Sequence, residues 1–169
     1  MSSDGFIMRG AGMPRPGKVE YYLDIAKAVS MRGTCLRRRF GAVLVRNDQI
    51  VSTGYAGSPR GTPNCCDIGV CERQRLNIPA GERYELCRSV HAEANAIIHA
   101  SRDQMMGATL YLYGEDSHDA SVAVARPCQM CRRMIINAGI RNVVVRTPGG
   151  SREEMAEDYV KEVVAEGGY

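Results

Sequence analysis

His91-Ala92-Glu93 and, about 35 residues downstream, Pro127-Cys128-Gln129-Met130-Cys131 are the residues best suited to chemistry in this chain. One imidazole and two thiolates are the donor set of a catalytic zinc site, where three protein ligands leave the fourth tetrahedral position to water. Zinc so placed lowers the pKa of water from about 15.7 to about 7. Glu93 follows His91 by two residues, too near to ligate the same ion easily from a helix start but well placed to move protons, so it is the expected general acid and base. The Ala92 backbone N–H, unpaired at a helix start, is a candidate donor to a substrate carbonyl oxygen. Alone, a C-x-x-C pair or a histidine at a helix start has a bland reading as a turn or a cap. Together, with glutamate at this offset and proline before the first cysteine, they form the pattern H-x-E…P-C-x-x-C.

Two helix starts must converge for these side chains to meet. Unpaired N–H groups and the partial positive charge at a helix start favour ionised thiols at Cys128 and Cys131, and Pro127 suits the entry to a helix because its missing N–H is not needed there. The pattern predicts helices over residues 91–100 and 129–137, the second ended by Gly139. An earlier helix over residues 19–31 carries Tyr22, Leu23, Ile25, Ala26 and Val29 on one face, with Gly33 as its stop. Strands are expected at 41–45, 49–55, 109–113 and 142–146, the first two joined by a tight Asn47-Asp48 turn. Residues 151–165 read as a final charged helix with Met155, Tyr159, Val160, Val163 and Val164 on its apolar side. Alternating helix and strand predict a three-layer α/β domain with a parallel strand pair at the end of the sheet. His99, eight residues after His91, reads as structural and His118 as solvated.

The chain has 169 residues and a formal charge of +3 from 22 basic and 19 acidic side chains. That length suits a single domain over residues 14–169, preceded by a mobile tail at 1–13. Near-balanced charge argues against a nucleic-acid partner and fits a small anionic ligand. Seven cysteines cannot all pair, and with no signal-peptide-like apolar run they favour metal over disulfides and a cytoplasmic protein. No stretch has the length and apolarity to span a membrane. Residues 56–88, rich in proline, glycine and cysteine, form a loop too long for a compact domain unless it is functional or tied down.

HAEANAIIH at 91–99, GATLYLY at 107–113 and PCQMCRRMIINAGIRNVVV at 127–145 closely resemble the deoxycytidylate deaminases, including their bacterial late-competence branch. TCLRRRFGAVLV at 34–45, GYAGSPRG at 54–61 and IPAGERYELCRSV at 78–90 agree with the same family, in the same order. The resemblance implies a cytidine deaminase-like α/β/α fold with a mixed five-stranded sheet and helices on both faces. It implies zinc-dependent hydrolysis of dCMP to dUMP and ammonia, feeding thymidylate synthesis, in a homo-oligomer with a hexamer favoured. Activation by dCTP and inhibition by dTTP are also implied. Two positions depart from the family pattern. Ala56 stands where asparagine is usual, and Arg126 where serine or threonine is common, after a long loop at 114–126.

The resemblance further implies a second, structural zinc in the cysteine-rich loop. Cys35, Cys65, Cys71 and Cys87 are the expected ligands, with Cys66 as the alternative to Cys65; the competing reading is buried free thiols. For the substrate, Tyr55 suits stacking on a base or packing beneath its loop, and Arg60 a phosphate or effector contact or a solvated surface charge. Arg126 joins these as a substrate-binding candidate. Arg37, Arg38 and Arg39 read as a solvated face, with a subunit interface or a phosphate site as the alternatives. The rival functions are a deaminase of another cytosine nucleotide or nucleoside, and a nucleotide-sensing zinc protein without turnover. The presence of Glu93 speaks against the last.

Overall fold

The computed structural model describes residues 15–79 and 81–167, so the tail expected at 1–13 lies outside the described residues. A five-stranded mixed sheet runs in the order β2-β1-β3-β4-β5. Its strands are β1 (Arg38–Arg46), β2 (Gln49–Tyr55), β3 (Thr109–Asp116), β4 (Asn142–Thr147) and β5 (Gly150–Met155). The helices that cover it are α1 (Lys18–Ser30), α4 (Ala92–Ile98), α6 (Gln129–Ala138) and α7 (Ala156–Gly167). The short helical pieces α2 (Cys65–Ile68), α3 (Glu72–Arg75) and α5 (Arg102–Met105), with a 3-10 turn at Tyr84–Leu86, complete the described residues.

Side-chain alternation along the strands sorts the core into two halves. Val43, Val45, Tyr111, Tyr113 and Val144 face α1 and bury Tyr22, Leu23 and Ala26. On the opposite face Ala42, Leu44, Leu110, Leu112, Val143 and Val145 receive residues of α4, α6 and α7, among them Ala96, Ile135 and Tyr159. The fold is thus the three-layer α/β/α arrangement the sequence implies.

The β1–β2 hairpin closes through Asn47 and Asp48 with φ of 49° and 63°. Two central residues in that region make the tight turn that matches the natural strand twist, and Asn and Asp tolerate it best after glycine. Tyr22 of α1 locks the turn by donating its hydroxyl to Asp48 Oδ1 at 2.6 Å. Lys18 pairs with the same carboxylate. The Tyr22–Asp48 bond, with burial, pushes the Tyr22 phenol up to about 12.

Three expectations need correction. Residues 151–155 are strand rather than the start of the last helix, since β5 pairs antiparallel with β4 from Thr147↔Gly150 to Asn142↔Met155. Its exposed Ser151, Arg152 and Glu153 look like a helix surface in sequence but suit an edge strand. As a result the parallel β3–β4 pair lies inside the sheet, not at its end. Finally, residues 114–116, read as loop, extend β3, and a further bridge joins Glu115 to Val122.

Candidate metal centre and its cavity

Gly54 determines how closely α4 approaches the sheet. A Cβ on it would lie 2.3 Å from the Ala92 carbonyl oxygen and 2.4 Å from the Ala96 nitrogen, so only glycine lets the two backbones touch. Polar side chains then pin the contact. Ser52 Oγ donates to the Ala96 carbonyl at 2.7 Å, and Asn95 Nδ2 donates to the Tyr55 carbonyl at 2.8 Å. His99 Nδ1 donates to the Thr53 carbonyl at 3.0 Å, which makes it a structural residue, as its spacing suggested.

His91 is the cap of α4 and Cys128 the cap of α6, both with extended backbone. From these two helix starts the His91 Nδ1 atom lies 3.4 Å from Cys128 Sγ and 3.5 Å from Cys131 Sγ. Donor atoms of all three side chains fall within 4.8 Å of one another. A tetrahedral zinc with Zn–S near 2.3 Å and Zn–N near 2.0–2.1 Å sets an S···N separation of about 3.6 Å. The residues fit the ion.

Around them the charges are strongly shaped. Burial pushes the Glu93 carboxyl above its ordinary value, with His91 opposing the shift. The Cys131 thiol, by a hydrogen bond, holds the Cys128 sulfur well below the usual thiol range, and His91 adds to the effect. Cys131 is pushed the other way by that bond and by its burial. The Cys128 bond also raises the His91 imidazole, against its own burial. Glu93 is 5% exposed and Cys131 fully buried, while His91 and Cys128 are half-buried on the side of the cavity.

Two braces hold the ligands from behind. The Tyr84 ring meets the His91 ring edge-on, with centroids 5.2 Å apart, and the Arg73 guanidinium lies over Tyr84 at 4.5 Å. Arg73 donates in turn to the Pro79 and Glu82 carbonyls at 2.5 and 2.7 Å, closing the long loop on itself. On the cysteine side, Arg132 Nε donates to the Pro127 carbonyl at 3.0 Å, and its Nη1 pairs with Glu162 of α7 at 2.6 Å. Its guanidinium also covers the Tyr159 ring at 5.3 Å.

A cavity of about 170 Å³ opens beside the centre, lined by His91, Ala92, Glu93 and Cys128. Phe40 and Leu112 supply its apolar wall, and the Phe40 ring occupies the space a side chain at Gly114 would need. Of the expected substrate contacts, Ala92 and Arg126 line this cavity; Tyr55 and Arg60 do not. Arg126 pairs with Glu162 at 2.6 Å and with Glu154 at 3.7 Å. Of the arginine run, Arg37 and Arg38 line the cavity, whereas Arg39 pairs with Glu115 at 3.8 Å.

Cys35, Cys71 and Cys87 line the same cavity. Burial pushes the Cys65 thiol up, with Cys35, Cys87 and Cys71 adding to it, so these four thiols are neighbours. They are not drawn to ligand spacing: among the described residues, His91, Cys128 and Cys131 are the group that reaches it. Cys66 is exposed and turns toward Asp67. Arg73 carried no signal in the sequence beyond its charge. For Arg132 one clue existed, its position four residues after Cys128, which puts it on the same helix face.

A three-ligand centre that opens onto a cavity, with a buried carboxylate beside it, defines a catalytic rather than a closed structural zinc site. A profile of the cytidine and deoxycytidylate deaminase zinc-binding region matches residues 16–147, and the chain belongs to that family. The deoxycytidylate deaminase of Mycobacterium phage D29 is 36% identical over 137 residues, covering 78% of this chain and 96% of the phage protein. That of Schizosaccharomyces pombe is 35% identical over 133 residues, covering 79% of this chain; the match spans 38% of the yeast protein. Among solved structures, the dCMP deaminase of cyanophage S-TIM5 in apo form shares 27% identity with a TM-score of 0.55, covering 78% of this chain and 84% of that one. No helix among the described residues is long and apolar enough to cross a membrane.

Proposed function

We propose that the chain is a hydrolase that converts dCMP to dUMP and ammonia, supplying dUMP for thymidylate synthesis. The observation that carries the reading is the Glu93 carboxyl, buried beside a three-ligand zinc site and lining the same cavity. Family membership and the phage D29 relative, matched over nearly its whole length, support the substrate.

His91 Nδ1 and the sulfurs of Cys128 and Cys131 would hold the zinc. When bound, the ion supplies the acidity that makes water a nucleophile at neutral pH. Glu93 would accept a proton from the attacking water and deliver it to pyrimidine N3, then take the proton of the hydroxyl now on C4 and pass it to the amine, which leaves as ammonia. A carboxyl raised by burial holds a proton more readily than an exposed one, which favours its use as a shuttle. The Ala92 N–H, on the cavity wall, donates to the carbonyl oxygen of the base. Phe40 and Leu112 pack the ring and keep bulk water out.

Glu93→Gln keeps the shape but cannot shuttle a proton, so it is expected to retain zinc and lose about 10²- to 10⁴-fold in turnover. Undiminished ammonia release from dCMP by that variant would refute the assignment.

The same reading includes a structural zinc on Cys35, Cys65, Cys71 and Cys87, supported by their neighbourhood in the fold. Two zinc equivalents per active chain are expected; a single equivalent at full activity rejects the second site. A cytoplasmic homo-oligomer, a hexamer by the family resemblance, with dCTP activating and dTTP inhibiting, completes the proposal.

A further inference from the structure

Both sulfur ligands lie on a short stretch of chain bounded by two arginines. Arg126 stands shortly before Cys128, and Arg132 directly follows Cys131. One carboxylate holds both ends of that stretch. Glu162 Oε1 accepts from Arg126 Nη2 at 2.6 Å, and Glu162 Oε2 accepts from Arg132 Nη1 at 2.6 Å. Glu162 belongs to α7, which lies past the segment that the family profile matches. A part of the chain without zinc ligands is thus tied directly to the turn that carries two of them.

The local structure of α7 explains how the carboxylate gets there. Tyr159 and Glu162 are at i and i+3 and share a helix face. Tyr159 is buried in the same half of the core as Ile135 of α6. Its ring lies against the Arg132 guanidinium at 5.3 Å, and its hydroxyl donates to Glu154 of β5 at 2.5 Å. Glu154 in turn takes the Nε side of Arg126 at 3.7 Å. Arg132 is 8% exposed, and Glu162 is its carboxylate partner among the described residues. A buried guanidinium stripped of its counter-charge is costly, so this contact resists opening. Inside the stretch, Arg132 Nε also donates to the carbonyl of Pro127, the residue joined to Cys128. Charge-assisted hydrogen bonds therefore close the ligand-bearing turn both on itself and onto α7.

Resting on the zinc-dependent deaminase reading, we infer that Glu162 is a positioning residue for the catalytic ion. Its two oxygens fix residues 126 and 132 relative to each other, and with them the spacing of the Cys128 and Cys131 sulfurs. Glu162 acts through the two arginines and touches neither the ion nor the substrate. The C-terminal β5–α7 unit is on this account part of the metal centre's support, not only a cover for the sheet.

The test uses the zinc enzyme and its cobalt-substituted form, for the wild type, Glu162→Ala, Glu162→Gln and Glu157→Gln. In the zinc enzyme, the chelator concentration that halves dCMP turnover should fall by about 10- to 100-fold in Glu162→Ala, the usual cost of losing a group that orients a metal ligand. In the cobalt protein, the visible d–d bands report the angles between ligands and should shift in the same variant. Glu162→Gln keeps an oxygen that can accept from one arginine, so it should move both readouts the same way by less; it carries the test if Glu162→Ala does not fold. Glu157→Gln removes a charge from the exposed side of α7 and should match the wild type in both. A lower melting temperature with unchanged chelator sensitivity and an unchanged cobalt spectrum makes Glu162 a tie between helices only and overturns the inference. An equal change in Glu157→Gln overturns it as well. A wild type that turns over no dCMP overturns instead the reading on which the inference rests, and the cobalt spectrum then decides the role of Glu162.

Discussion

Replacing Gly54 with alanine tests the idea that backbone contact between β2 and α4 positions the chemistry. The new Cβ would lie 2.3 Å from the Ala92 carbonyl oxygen, whereas ordinary contact begins at 3.4 Å, so α4 must retreat by about 1.1 Å, the difference of the two. No rotamer can relieve the clash, because the opposing atoms belong to the helix backbone. Ala92 lies between His91 and Glu93, so the retreat carries a zinc ligand and the proton shuttle together. A misplacement near 1 Å costs about 10²-fold in kcat, and forcing one methyl into a filled space costs about 1–3 kcal/mol. In a domain of this size that lowers Tm by about 2–12 °C. Gly149→Ala is the control, since its Cβ meets nothing within 4 Å. Initial rates on dCMP, zinc content and thermal melts of both variants decide the matter. If Gly54→Ala stays within about threefold of the wild type and melts with it, close approach at this position does not set the site, and the argument fails.

Arg132→Met should weaken zinc more than its distance from the ion suggests, because the guanidinium holds the Pro127 carbonyl next to Cys128. A competitive chelator should find a loss of about 10- to 100-fold in affinity, the usual cost of removing a group that orients a ligand. Unaltered affinity would make Arg132 only a link to α7. The Tyr22 phenol, raised to about 12 in the fold against 10.0 in the open chain, stabilises the fold below pH 10. That contribution is lost as pH rises from 10 to 12, because the folded state then holds the proton more tightly. Tm should therefore fall more steeply over this window in the wild type than in Tyr22→Phe, and parallel curves would rule the interaction out.

Much of the site was legible because its ligands sit at helix starts, where short-range spacing fixes geometry. His91, Cys128 and Cys131 each lie within one turn of a cap, so two local patterns and one convergence sufficed. The hairpin was legible for the same reason, with Asn47 and Asp48 at adjacent positive φ. What escaped depends on partners distant in sequence. β5 is a strand because β4 offers it hydrogen bonds, and no apolar alternation in residues 150–155 announces it. Arg73 is buried only because Tyr84 and two carbonyls surround it, while in sequence it reads as one more loop cation. Arg126 reads in sequence as a substrate contact, and nothing there points to its two carboxylate partners on β5 and α7, which only the corrected end of the chain brings near.

The charged outer strand has a bearing on assembly. Ser151, Arg152 and Glu153 lie exposed along the rim of the sheet. Another strand laid against that rim would have to strip water from the charged groups while burying little apolar surface. Copies of this chain that associate would therefore leave β5 as a border, and the sheet would not grow across that rim however many subunits gather.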